Sequence, residues 1–223
     1  MRNCLLIAGL IFCVVVLVIA GVVFMLYRAS QKVPEWYEAK LEADPVRQVE
    51  ASDEMLQQAT ALVSDVKKEG QWQAVFTAEQ INGWLAVDLV KNHRDLLPPR
   101  VSDPRVQIEP GEMTIACRFQ QEDLTGVLSL TVDAYMAEPN VVALRIRKAR
   151  AGLVPLPLEK VLDQISQAAS QADLQIQWRQ TDGDPVALIS LPPTRDEENR
   201  LVQVETIRLG EGEVYLGGST ERQ

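Results

Sequence analysis

The feature that most restricts what this chain can fold into is the run Leu5 to Leu26, LLIAGLIFCVVVLVIAGVVFML, 22 residues without a charge. At about 1.5 Å per residue it makes about 33 Å of helix, enough to cross the hydrocarbon core of a bilayer. A secretory signal peptide has a shorter apolar core, about 7 to 15 residues, and small residues at its cleavage site. Here Met25-Leu26-Tyr27-Arg28 stands where that site belongs. The sequence therefore predicts an uncleaved anchor, with residues 1–4 a short tail and residues 5–27 a transmembrane helix in the lipid bilayer. Arg2 on one side and Arg28 and Lys32 on the other nearly balance, so charge alone leaves the orientation open.

Beyond the anchor the chain of 223 residues has room for one domain with a real core. Its formal charge is −9; setting aside Arg2 and Arg28 leaves 20 of the 22 basic side chains against 31 acidic ones, or −11. A body of that charge repels phosphate backbones, which excludes nucleic acid as the expected partner. Of three cysteines, Cys4, Cys13 and Cys117, only Cys117 lies outside the anchor region, so neither an intradomain disulfide nor a CxxC metal site is available. No metal or other cofactor is expected.

Residues 28–50 are polar, carry Pro34 and Pro45, and read as a juxtamembrane stalk in which Trp36 and Tyr37 suit the headgroup level. Residues 51–217 read as the domain. Ser52 can cap a helix whose stripe is Met55, Leu56, Ala59, Leu62, Val63 and Val66, ended by Gly70. After an extended piece from Trp72 to Phe76, Thr77 and Gln80 form a T-x-x-Q capping box before the stripe Ile81, Trp84, Leu85, Leu89. The period then changes to two. Met113, Ile115, Cys117 and Phe119 alternate with polar residues, and Leu124 to Met136 keeps one apolar face over about 13 residues, about 43 Å of strand, which should twist and curl. Val142, Leu144 and Ile146 return after the turn at Glu138-Pro139-Asn140, giving an antiparallel meander with one apolar and one wet face. A third helix follows Pro157, with Leu158, Val161, Leu162, Ile165 and Ala169 inward. Strands at 174–178 and 186–191 and a hairpin turning at Gly210-Glu211-Gly212 complete the domain, and residues 218–223 read as a frayed tail. The expected class is α+β: an N-terminal transmembrane helix, then a curved antiparallel β-sheet packed on two to three helices.

FTAEQINGWL at 76–85, the long amphipathic strands to Ile146, and AGLVPLPLEKVLDQI at 151–165 resemble the YpmS-like membrane-anchored proteins of bacteria, over about residues 70–217. The resemblance implies an extracytoplasmic domain on the cell's inner (cytoplasmic) membrane with the N-terminus inside, and a sheet wrapped on helices somewhat like half of a tubular lipid-binding fold. It transfers no catalytic residue.

The residues themselves offer no nucleophile elbow, no dinucleotide glycine motif and no zinc-protease motif. His93, the single histidine, suits a surface or capping role at a helix end. Cys117 sits on an apolar strand face, where a thiol is an inert small hydrophobe. The acidic groups Glu122-Asp123, Asp182/Asp184 and Asp196-Glu197-Glu198 fall in turns as solvated loops. Trp84 and Trp178 belong to apolar stripes and read as core. The chain is expected to be non-catalytic, binding a lipid or other amphiphile in an apolar groove lined by Leu85, Leu128, Leu130, Leu144, Leu162 and Ile165. Arg145, Arg147, Lys148 and Arg150 form a local basic group that could meet a headgroup or a protein partner, or simply be a strand's wet face. The alternative is a cell-envelope interaction or assembly protein with a fully packed core and no small ligand.

Overall fold

The computed structural model describes residues 28–121, 124–171, 176–191, 194–195 and 200–222. The expected anchor at 5–27, the strand start at Leu174, and the acidic turns Glu122-Asp123 and Asp196-Glu197-Glu198 lie outside those residues. Among the described residues no helix is long and apolar enough to cross a membrane.

The protein is α+β, as expected, but its strands form two sheets. Helices α1 (Glu35–Leu41) and α2 (Pro45–Val66) lead into strand β1 (Gly70–Thr77), then helices α3 (Ala78–Ala86) and α4 (Asp88–Asn92). The meander is β2 (Val101–Glu109), β3 (Glu112–Gln121), β4 (Leu124–Glu138) and β5 (Val141–Ala151), followed by the two-residue β6 (Val154–Pro155) and helix α5 (Leu158–Gln171). The remaining strands are β7 (Ile176–Thr181), β8 (Asp184–Ser190), β9 (Thr194–Arg195), β10 (Arg200–Leu209) and β11 (Glu213–Arg222). The larger sheet runs β2-β3-β4-β5-β8-β7 with β6 on β5, and the smaller runs β1-β11-β10-β9.

Three expectations are corrected by this arrangement. The region read as a stalk carries α1, whose Tyr37 is 0% exposed and packs on Ala116 and Val127 of the meander. Its phenol donates to the Asp103 carbonyl at 2.7 Å, and burial, with the nearby Asp103 charge, pushes its pKa up to about 12. The face of β3 and β4 opposite Leu128 and Leu130 is therefore covered there, not wet. Helix α2 starts at Pro45, where proline suits the first turn and Asp44 Oδ1 accepts from the Val46 amide at 2.9 Å. Ser52 lies inside this helix, buried against α3, where a Cβ on Gly83 would stand 2.7 Å from the Ser52 nitrogen. The supposed frayed tail is strand: β11 continues to Arg222, paired with both β1 and β10, with Gly218, Ser219 and Thr220 buried.

Other expectations hold. Thr77 Oγ1 accepts from the Gln80 amide at 3.1 Å and Gln80 Oε1 from the Thr77 amide at 3.0 Å, the reciprocal capping box. The long strand is Leu124–Glu138, 15 residues.

Two asparagines hold strands that belong to different layers. Asn82 on α3 brackets Val106 on the edge strand β2, accepting from its amide and donating to its carbonyl, both at 2.8 Å, while also donating to Ala78 at 2.7 Å. Asn140, in the β4–β5 turn at φ 60°, accepts from the Val204 amide at 2.7 Å and returns its own amide to the Val204 carbonyl at 2.9 Å. Val204 borders a bulge in β10, so the smaller sheet is pinned to the larger where its own ladder is interrupted. Between these pins lies a shared core of Ala78, Ile108 and Leu209 with Ile81, Met113, Ala134 and Val214 against it.

A candidate apolar groove on the larger sheet

Register places the groove. Ile115 faces Leu130 and Cys117 faces Leu128 across β3 and β4, while Leu130 faces Ala149 and Leu128 faces Ala151 across β4 and β5. Directly paired residues share a face, so these side chains form one apolar patch. The smaller sheet covers the Met113 end of this face through Val214 and Leu209. At the other end, Leu156, Pro157 and Val161, from the lead-in and first turns of α5, rise beside the patch instead of closing over it. The resulting groove has a volume of about 390 Å³, within the range of about 300 to 1,000 Å³ usual for small-molecule sites. Ile115 at its lip remains 37% exposed.

Of the residues expected to line a groove, Leu128 and Leu130 do. Leu85, Leu144, Leu162 and Ile165 do not. Leu85 sits half-buried on α3, which packs against α2, β1 and β2. Leu144 is paired with Ala134 and Ala187 in the middle of the sheet. Leu162 and Ile165 are half-buried on α5, while Val161 of the same helix turns to the groove. Ile115, Cys117, Ala149, Leu156, Pro157 and Val161 were missed. Ala149 drops out of the alternation because β5 carries a bulge: Thr131 pairs with Lys148 but Val132 with Ile146, so Arg147 is the extra residue and the inward face shifts by one.

The basic group does not act as one site. Arg147 is held by two carboxylates, Asp133 Oδ2 at 2.6 Å and Asp184 Oδ2 at 2.7 Å. Arg145 stands 3.5 Å from Asp182, with its Nε buried and unpartnered among the described residues. Lys148 borders a separate shallow hollow with Pro110, Glu112 and Asp133. Arg150 borders the groove, but it pairs with Ser129, so its exposed side chain leaves from the face opposite Leu128 and Leu130, and no ion pair engages it among the described residues.

Cys117 is half-buried in the groove wall, and burial pushes its thiol pKa up, so it is a poor nucleophile at neutral pH. His93 is 3.4 Å from Asp88 and stacks near Trp84 at the end of α4, a surface arrangement. Trp178 donates to Ser166 Oγ at 2.8 Å, tying edge strand β7 to α5. A smaller cleft of about 200 Å³ between α1, α2 and α3 includes Arg47 and Arg105. Both arginines are engaged: Arg47 bridges Glu50 and Glu79, and Arg105 donates to the Lys40 and Pro104 carbonyls. Among the described residues no three His, Cys, Asp or Glu side chains converge to hold a metal.

Comparison with models of protein families, with curated proteins and with solved structures finds no match to this chain.

Proposed function

We propose that this is a single-pass, extracytoplasmic membrane protein whose domain binds the acyl chain of a lipid or similar amphiphile, without catalysing a reaction. The observation that carries this reading is the groove: a one-sided apolar channel walled by Leu128, Leu130, Ala149, Leu156 and Val161. Apolar surface left open in this way costs about 25 cal/mol per Å² relative to being covered, so an alkyl chain gains by filling it. The uncharged stretch at 5–26 supplies the anchor, and the resemblance to YpmS-like proteins supplies the direction, N-terminus inside.

The test uses the full chain in proteoliposomes containing phosphatidylglycerol with a diazirine in one acyl chain. After illumination, peptides from β3, β4 and residues 149–161 should carry lipid adducts. Ile115→Trp, which extends a ring over the groove from its exposed lip, should remove those adducts and leave any on residues 5–27. Adducts confined to 5–27 in the unaltered protein would refute the groove.

A second reading, docking to another envelope protein, has its own observation. Val49, Leu56 and Val63 recur at intervals of seven on α2 and are 48%, 41% and 58% exposed. That spacing forms one stripe along the helix, the pattern of a surface laid against another helix.

A further inference from the structure

The tip of the β5–β6 hairpin is where the chain arriving from the uncharged stretch is received. Residues 28–30 are helical, and the last carbonyls of a helix have no donor within it. The Ala29 carbonyl takes two from beyond the helix, the Lys32 amide at 3.3 Å and, from the hairpin tip, the Leu153 amide at 3.0 Å. Gly152 makes the approach possible. At φ +57° it takes a conformation that side chains disfavour, and a Cβ there would lie 2.5 Å from the Ser30 oxygen and 2.6 Å from that of Ala29. The Gly152 amide donates back to Val127 on β4 at 2.7 Å, so the tip is fixed to the sheet as well.

The legs of this hairpin are groove wall. Ala149 and Leu156 are joined by a backbone hydrogen bond of 2.8 Å, and Arg150 pairs with Pro155. The groove thus begins within about 10 Å of the point where residues 28–30 dock, two to three residues of strand. Around that point are exposed apolar side chains, Leu153 at 51% and Val33 at 38%, and the cations Arg28, Lys32 and Arg150, in a chain whose net charge is −9. Apolar residues flanked by cations on an otherwise acidic body match an anionic lipid surface.

We propose that this end of the domain, the Gly152–Leu153 tip with residues 28–33 and Arg150, rests on the surface of an anionic phospholipid bilayer. Leu153 and Val33 enter the interfacial layer, and the groove opens toward it, so that an acyl chain passes from bilayer to groove without crossing water. The inference rests on the anchored reading of residues 5–27.

The experiment uses the full chain with its native thiols removed (C4S, C13S, C117S) and a nitroxide on L153C, V33C or V63C, in vesicles of phosphatidylglycerol and phosphatidylcholine. Labels at 153 and 33 should relax with oxygen and be shielded from an aqueous nickel chelate, and the label at 63, on α2, should show the opposite. Adding K32E and R150E should shift the docked-to-undocked ratio at 153 by about fivefold per charge. Free access of the chelate to position 153 in these vesicles would overturn the proposal. The rate of maleimide labelling of Cys117, in a chain keeping that thiol, reports the groove separately when vesicles are compared with lipid-free detergent, protection meaning a slower rate in vesicles. A shielded 153 with freely reactive Cys117 upholds the surface and removes the groove, and an exposed 153 with protected Cys117 does the reverse.

Discussion

Replacement of Asn82 by leucine keeps a side chain branched at Cγ and deletes three hydrogen bonds of 2.7 to 2.8 Å. The Ala78 carbonyl still has its helical donor. The Val106 amide and carbonyl do not recover partners, since Val106 is 4% exposed on the edge strand. Each stranded buried group costs about 1 to 3 kcal/mol, and the extra apolar burial of leucine returns about 1 to 2. The net expectation is a loss of about 1 to 4 kcal/mol, a large share of the roughly 5 to 15 that holds a domain together. For a domain of this size that lowers Tm by about 2 to 16 °C. Thermal unfolding of the full chain in nanodiscs, followed by tryptophan fluorescence, measures it. Asn82→Asp separates hydrogen bonding from packing. Its carboxyl must stay protonated to face the Ala78 and Val106 carbonyls, so its folded pKa is raised above the unfolded value of about 3.9. That variant should therefore be nearest the parent below about pH 4 and weaken as pH rises through the folded value. An N82L protein with parental Tm, or an N82D protein indifferent to pH, would refute the idea that this amide closes the sheet edge.

Gly83→Ala should destabilise by about 1 to 2 kcal/mol in the same assay although alanine is the better helix former by about 1, because the new methyl meets fixed backbone at Ser52 and Gln48. Gly152→Ala should release residues 28–30 from the hairpin, seen as faster proteolysis or greater label mobility at position 29, with little change in the rest of the fold. In a chain lacking cysteine, stability should fall as pH rises from about 10 through about 12, as the buried Tyr37 phenol is forced to ionise, and Tyr37→Phe should abolish that limb. At neutral pH the same substitution should cost about 0.5 to 1.5 kcal/mol for the lost bond to Asp103.

What the sequence made legible was periodic or local. Alternation located the meander, and T-x-x-Q at 77–80 located the start of α3, because both signals are carried by neighbours a few residues apart. Leu128 and Leu130 were recognisable as groove wall for the same reason. Tyr37 was not recognisable as core, since its partners Ala116 and Val127 lie on strands far along the chain. Nor was the division into two sheets, which depends on where β11 pairs and on Asn140 reaching Val204. The bulge at Arg147 hid Ala149, since one inserted residue moves everything beyond it to the other face. The basic group looked like one feature because Arg145, Arg147, Lys148 and Arg150 are close in sequence, whereas three aspartates, one on β4 and two at the β7–β8 turn, claim two of them.

Strand β11 also sets an order on biosynthesis. It is the strand that both β1 and β10 need, with Gly70 facing Thr220, and it is made after every other described element. A nascent chain emerging from N- to C-terminus must therefore carry the hydrogen-bonding edge of β1 unpaired for most of its synthesis, with α2 and α3 as the neighbours already made. That interval is when an unpaired apolar strand is open to wrong partners, so a chaperone's help would matter most just before the last strand arrives.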